Sequence, residues 1–259
     1  MTAEKREDIM SFAEFHFRSA CLDRETAVNV ILPNDLPAGE CPVVTLLHGM
    51  HGSYDNWMRK SNIETLAFFR KIAVVMPEGN NSYYQDMVYG ERFFSYISEE
   101  LPAVMRRTFG FSADREKNYI AGLSMGGYGA MRTALLLPER YTGAASLSGA
   151  LDMVRWIAKP QKVPYAIRIW GEDYAARVPG SDADLFHLFR TFPKDKPAPK
   201  LFFACGTEDA LYQAQKDLVP ILESRKDVFD YTVKEGPGVH NWLFWNEWIG
   251  PALDAILPS

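Results

Sequence analysis

The sequence has little cysteine: three residues in 259, at Cys21, Cys41 and Cys205. Three scattered cysteines exclude a disulfide framework and a cysteine zinc site, and an odd count suits a reducing compartment. A positive charge excess is lacking too, since 28 Lys and Arg stand against 33 Asp and Glu, a formal net charge of −5. Because phosphate binding needs a basic surface, nucleic acid is not an expected partner.

Long hydrophobic runs are also missing, and none approaches the roughly 20 residues that span a bilayer. The N-terminal segment MTAEKREDIM is charged and has no apolar core of a signal peptide. We therefore expect no membrane association and a cytoplasmic location. The composition, 47% hydrophobic and 24% charged, is typical of globular proteins. With no linker or repeat, the chain is expected to form one α/β domain over residues 1–259.

Short apolar runs alternate with longer amphipathic segments, which is typical of βαβ units in a mostly parallel sheet. Polar–apolar alternation predicts an antiparallel strand pair at 12–20 and 24–32. Continuous apolar runs predict six further strands, at 42–47, 72–76, 117–122, 143–148, 200–205 and 229–234. Helices are predicted at 61–70, 91–108, 126–137, 212–226 and 241–256. Segment 151–198 is weakly periodic and predicts a cap over the sheet, with a short helix near 181–191.

A G-x-S-x-G motif, GLSMG at 122–126, places Ser124 between an apolar strand and a helix. In this context the motif forms a sharp turn that lifts the serine hydroxyl out of the sheet, with the helix N-terminus behind it. The alternative is a tight turn in which Ser124 only caps the helix. We interpret Ser124 as a nucleophile.

A serine nucleophile needs a general base, and the triad order in this fold is serine, acid, histidine. Two histidines follow Ser124. His187 lies in the apolar stretch LFHLF, which is typical of a packing position, whereas His240 lies in a glycine-rich loop before the last helix. His240 is therefore the expected base.

The acid is expected at the carboxyl end of a strand between the nucleophile and the base. The strand LFFAC runs into Glu208 and Asp209, either of which could orient the imidazole. We prefer Asp209, which lies further into the loop, although it could also be a helix cap. Asp152, after the preceding strand, is the rival.

An oxyanion hole is expected from two backbone N–H groups, those of Met125 after the nucleophile and Met50 in the loop HGMHGS. His48 and His51 in this loop resemble a metal pair, but no further ligand stands at the usual spacing. We expect no metal and interpret His48 as a hydrogen-bonded structural residue. Candidate substrate-binding aromatics are Trp57, Tyr83, Tyr84 and Trp242, while Trp245 and Trp248 share a helical spacing that indicates core.

Taken together, the segments HGMHGSYDNW, YIAGLSMGGYGAMRTAL, ASLSGAL, CGTEDALY and GVHNWLFW resemble the esterase D and S-formylglutathione hydrolase-like branch of the α/β hydrolases. Within that branch they are most similar to bacterial tributyrin esterases. The resemblance implies an α/β-hydrolase fold, with about eight strands in a mostly parallel sheet, helices on both faces and a small cap. S-formylglutathione hydrolases usually carry a cysteine soon after the oxyanion glycine, and GMHGSYDNW has none.

The resemblance implies Ser124, Asp209 and His240 as the triad, with the Met50 and Met125 amides as the oxyanion hole. It further implies a cofactor-free serine carboxylesterase for short acyl esters, acetyl to butyryl, with a small-molecule ester as its partner. Relatives often form homo-oligomers, dimers or tetramers. Three alternatives stay open: an esterase for acetylated or feruloylated carbohydrates or for S-formylglutathione, an acyltransferase with the same triad, and a non-catalytic binding protein.

Overall fold

The computed structural model of the protein describes residues 10–34 and 39–258. The expectation of a chain without a signal peptide concerns residues 1–9, which lie outside the described residues. Eight strands are present: β1 Met10–Ser19, β2 Arg24–Pro33, β3 Val43–Leu47, β4 Ala73–Pro77, β5 Asn118–Leu123, β6 Gly143–Leu147, β7 Lys200–Gly206 and β8 Tyr231–Gly236. Each coincides, within a few residues, with a strand that the apolar pattern predicts.

The strands form a single sheet in the order β1-β2-β4-β3-β5-β6-β7-β8. β1 pairs antiparallel with β2, β2 pairs antiparallel with β4, and all other neighbours are parallel. The central strands β4 and β6 are buried along their whole length, as strands covered on both faces must be. The expected α/β-hydrolase fold is confirmed.

Eleven α-helices occur in the described part of the chain: α1 Asn56–Lys60, α2 Ile63–Arg70, α3 Phe93–Ser95, α4 Leu101–Phe109, α5 Met125–Leu136, α6 Met153–Ile157, α7 Val163–Trp170, α8 Tyr174–Arg177, α9 Leu185–Thr191, α10 Tyr212–Glu223 and α11 Trp242–Ile256. The helices pack on the two faces of the sheet, each face with its own hydrophobic core. One core packs side chains of α4, α5, α9 and α10 on one face of the sheet, and the other packs α1, α2 and α11 on the opposite face. None of the helices in this part is long and apolar enough to cross a membrane.

The single helix expected at 91–108 is instead three pieces, because a π-helix over Tyr96–Glu100 separates α3 from α4. Pro102 has no N–H and cannot bond the carbonyl of Ser98 one turn before it. That carbonyl accepts a hydrogen bond from Arg140 at 2.6 Å instead. A periodicity argument cannot detect this, since the apolar spacing changes little across the π-helix.

The cap, residues 151–198, holds four helices, α6 to α9, where the sequence predicts one. α6 is only five residues long and is capped at its N-terminus by Asp152, whose carboxylate accepts the Arg155 backbone N–H at 2.9 Å. Helices this short produce almost no periodic signal. The cap is tied to α5, because Arg132 forms an ion pair with Asp182 at 2.6 Å.

Candidate active site

The turn between β5 and α5 holds Ser124 in a strained backbone conformation, with φ 53° and ψ −115°. A serine at positive φ is uncommon and persists only where the surrounding structure enforces it. Close packing does so here. A Cβ on Gly122 would lie 2.5 Å from the backbone of Gly126, and a Cβ on Gly126 would lie 2.3 Å from the carbonyl oxygen of Leu47. The sharp turn therefore requires both glycines of the motif.

Replacing Gly126 by alanine is expected to lower the free energy of unfolding by about 3 kcal/mol, because the obstructing atom belongs to the backbone of β3. Urea denaturation measures the change. Gly236→Ala in β8 is the matched control: its Cβ would meet nothing nearer than 3.6 Å. Equal stability of the two variants would show that packing at the turn does not require glycine.

A line of hydrogen bonds joins Ser124, His240 and Asp209. Nε2 of His240 lies 3.0 Å from Oγ of Ser124, and Nδ1 lies 2.8 Å from Oδ2 of Asp209. The Asp209 side chain is fully buried, whereas 35% of the imidazole is exposed. An ionised carboxylate only accepts, which assigns the ring hydrogen to Nδ1 and leaves the Nε2 lone pair for the serine proton. The arrangement places a general base within reach of a hydroxyl.

Burial alone would raise the pKa of the Asp209 carboxyl. The hydrogen bond from His240, the charge of its imidazolium form and the Leu211 N–H at 2.8 Å outweigh that effect and hold the pKa below its usual range. Asp209 is therefore ionised at neutral pH. Burial and the nearby Asp209 charge raise the pKa of the Cys205 thiol to about 12, which makes it a poor competing nucleophile.

Backbone contacts fix the loop that carries His240. The Gly238 N–H donates to Oε2 of Glu208 at 2.5 Å, and the Glu208 N–H donates to the Gly238 carbonyl at 3.1 Å. Trp245 packs edge-to-face on the imidazole, with ring centroids 4.9 Å apart. Glu208, the alternative acid, thus binds the backbone of the histidine loop. Sequence reasoning missed this role, because nothing local indicates which backbone a carboxylate will meet.

The two rival residues lie elsewhere. Oδ1 of Asp152 caps α6, and its Oδ2 lies 3.4 Å from Nε of Arg155. His187 lies half-buried on α9, where its backbone N–H donates to Oδ1 of Asp184, the residue that caps the helix N-terminus. Within residues 10–34 and 39–258, neither side chain forms a hydrogen bond with Ser124 or His240.

The two amides proposed for the oxyanion hole belong to residues near Ser124, Met125 next to it in sequence and Met50 next to a glycine that packs on it. Met125 is the first residue of α5, and Met50 follows Gly49, where a Cβ would lie 3.3 Å from Cβ of Ser124. In the part of the chain that the structure describes, neither N–H has a hydrogen-bond acceptor. Both are therefore available to a developing oxyanion.

Three of the four aromatics expected in the pocket are buried instead. Trp57 is 1% exposed, and its indole N–H donates to the Leu47 carbonyl at 3.1 Å. Tyr84 is fully buried, and its hydroxyl donates to the His48 carbonyl at 3.0 Å. Tyr83 is 2% exposed beneath the cap. Trp57 and Tyr84 therefore support the oxyanion loop from below and do not line the pocket.

Trp242, the fourth aromatic, is half-buried at the start of α11. Its ring packs edge-to-face on Trp57 and on Trp245, at centroid distances of 5.1 and 5.3 Å. Trp245 is buried as expected. Trp248 is only half-buried and stacks on Phe244 at 5.8 Å, because its position on α11 leaves one side open.

The ring nitrogens of His48 are both engaged, as a structural role requires. Nδ1 lies 2.7 Å from the Gly49 carbonyl, and Nε2 accepts the Gly79 N–H at 2.9 Å. Nε2 of His51 lies 3.3 Å from the Tyr165 hydroxyl of the cap. Among the described residues, no group of three or more His, Cys, Asp or Glu side chains could hold a metal ion.

The chain is similar to known esterases and serine hydrolases. The family model named Esterase matches residues 19–256. The acetyl esterase of Caldicellulosiruptor saccharolyticus is 32% identical over 263 residues, covering 95% of this chain and 97% of that enzyme. Substrate-bound fluorophosphonate-binding serine hydrolase F of Staphylococcus aureus is 29% identical, with a TM-score of 0.87 over 96% of this chain and 99% of that one. The S-formylglutathione hydrolase FrmB of the same organism is 29% identical, with a TM-score of 0.82 over 96% and 100%.

Fold, site and similarities together define a serine hydrolase of the α/β-hydrolase class. The chain belongs to the Esterase family, in its esterase D and S-formylglutathione hydrolase-like branch, and it is a carboxylic ester hydrolase.

Proposed function

We propose that the protein hydrolyses short-chain carboxylic esters, acetyl to butyryl, through an acyl-enzyme on Ser124. The observation that carries the proposal is the hydrogen-bonded line from Asp209 through His240 to Ser124, at a backbone turn that exposes the hydroxyl. The chain's similarity to an acetyl esterase over nearly its full length supports a short acyl group.

The proposed reaction begins when Nε2 of His240 takes the Oγ proton as Ser124 attacks the ester carbonyl. The resulting oxyanion accepts hydrogen bonds from Met50 N–H and Met125 N–H, and Asp209 stabilises the imidazolium. His240 then gives its proton to the leaving alcohol, and an acyl-serine remains. A water, deprotonated by the same imidazole, releases the acid and restores the serine.

An apolar rim at the histidine supports an ester with an apolar alcohol. Val239 and Leu243, which flank His240 in sequence, are 46% and 82% exposed. Trp242 lies between them in sequence, with the Lys60 ammonium 5.5 Å from its ring centroid. We assign Trp242 and this rim to the leaving alcohol, which must depart toward Nε2.

Hydrolysis of p-nitrophenyl esters from acetate to decanoate tests the acyl preference. We expect kcat/KM to peak at about two to four acyl carbons and to fall at least about tenfold by octanoate, because a site matched to a short acyl group cannot hold a longer chain in the reactive position. A value that rises steadily toward decanoate would contradict the small acyl site.

S-formylglutathione should be assayed beside the p-nitrophenyl esters, because the S-formylglutathione hydrolase FrmB has a similar structure. We expect kcat/KM for this thioester to lie below that for p-nitrophenyl acetate. The reverse order would assign the enzyme to thioesters, while leaving the serine mechanism intact.

A further inference from the structure

A cavity of about 280 Å³ lies at the opposite end of the sheet from the catalytic serine. Asn118 at the start of β5 lines it, whereas Ser124 follows the end of the same strand. At about 3.3 Å per residue, the chain advances ~20 Å between these two positions. The cavity is therefore separate from the active site, and its volume is near that of small-molecule pockets, about 300 Å³ and above.

This cavity reaches the middle of the sheet. Thr45 pairs with Val75 in β4 and Ile120 in β5, yet it is only half-buried. Side chains of a central strand covered on both faces are normally fully buried. The space between the sheet and α4 is thus incompletely filled. Its apolar lining includes Val43, Val75, Leu101, Met105 and Phe111.

Two hydroxyl groups line the cavity without protein partners. Tyr141 is 4% exposed, and neither its hydroxyl nor that of Thr45 forms a hydrogen bond with any residue that the structure describes. Neither hydroxyl oxygen is among the fully buried unpaired polar atoms, so both face the open cavity, where a ligand can supply a hydrogen-bond partner. Burial raises the pKa of Tyr141 to about 12, which keeps it a neutral donor.

The mouth of the cavity carries one unpaired positive charge. Arg140 is neutralised by Glu99 at 2.9 Å, whereas Arg106 forms no ion pair within the described part of the chain. Ser98 and Glu99 belong to the π-helix, and such helices are common at functional sites. Arg107, on the same turn of α4, does not line the cavity.

We propose that this cavity binds a small amphipathic monocarboxylate, the class of molecule that ester hydrolysis releases. The apolar tail lies between the sheet and α4, and the carboxylate accepts hydrogen bonds from Arg106 and the Tyr141 hydroxyl. An apolar body with a few convergent polar groups is the usual composition of a small-molecule site. A charge-assisted bond from Arg106 would select an acid over an alcohol of equal length.

Isothermal titration of the full chain with sodium hexanoate tests the proposal. We expect saturable binding, weakened about tenfold or more by Arg106→Gln and several-fold by Tyr141→Phe. Arg107→Gln is the matched control and should bind as the wild type does. Hexan-1-ol should bind at least about tenfold more weakly than hexanoate. All variants should hydrolyse p-nitrophenyl acetate at the wild-type rate, which separates this site from the catalytic one.

The site is disproved if hexanoate shows no saturation up to ~10 mM. If Arg106→Gln and Arg107→Gln weakened hexanoate binding equally, the binding would reflect general surface charge and not a site at Arg106. Tighter binding of hexylamine than of hexanoate would also overturn the assignment, because recognition would then come from Glu99. Arg106 is exposed, so Arg106→Gln should fold normally. It therefore tests the site even if Tyr141→Phe, at a buried position, lowers stability.

Discussion

Ser124→Ala is expected to lower kcat for p-nitrophenyl acetate by about 10⁵- to 10⁶-fold, because the proposed mechanism carries the acyl group on the Ser124 oxygen. His240→Ala is expected to lower it by a similar factor, since the serine then loses the imidazole 3.0 Å from its Oγ. The double variant should fall no further than either single one. Two residues that perform one proton transfer act as a unit, and their losses do not add.

The matched control is His187→Ala, which removes an imidazole from α9 and should leave kcat unchanged. A fluorophosphonate probe, which should label the wild type and not Ser124→Ala, locates the reactive oxygen independently of turnover. If the double variant lost the product of the two single factors, serine and histidine would act separately, and the proposed mechanism would be wrong.

The sharp turn at Ser124, between β5 and α5, illustrates what local sequence can predict. Some twenty residues of sequence contain the strand, the helix and the glycines two residues before and after Ser124. The collision of a Gly126 Cβ with the Leu47 carbonyl explains why the motif needs glycine there. The triad order expected for the fold selected His240, 116 residues from Ser124, and the structure places the two side chains within hydrogen-bond distance.

Side-chain direction is what the sequence could not predict. Trp57 and Tyr84 follow two loops at the carboxyl edge of the sheet, where pocket residues are common, yet both point beneath the oxyanion loop. Their direction goes with hydrogen bonds to the Leu47 and His48 carbonyls, which form only in the folded chain. The π-helix also depends on a distant contact. Pro102 leaves the Ser98 carbonyl without its helical hydrogen bond, and the Arg140 side chain that replaces it lies 42 residues further along the chain.

Asp209→Asn is expected to keep the fold and to lower kcat by about 10⁴-fold. The amide can donate to Nδ1 of His240 where the carboxylate accepted, which favours the wrong imidazole tautomer. It also removes the negative charge that stabilises the imidazolium. Steady-state kinetics with p-nitrophenyl acetate measure the loss. Asp152→Asn is the control: it should cost about 1 kcal/mol of stability at most, through the α6 cap, and leave kcat near the wild-type value.

The lowered pKa of Asp209 adds a dependence on pH that kinetics alone would not reveal. A carboxyl whose pKa is lower in the folded than in the unfolded chain stabilises the fold above its unfolded pKa. That contribution is lost as pH falls through the lowered folded pKa. The wild type should therefore lose stability relative to Asp209→Asn below about pH 4, as urea denaturation at several pH values would measure.

The kinetic comparison decides which aspartate acts on the histidine. If Asp209→Asn kept its kcat while Asp152→Asn lost it, Asp152 would be the residue that orients His240.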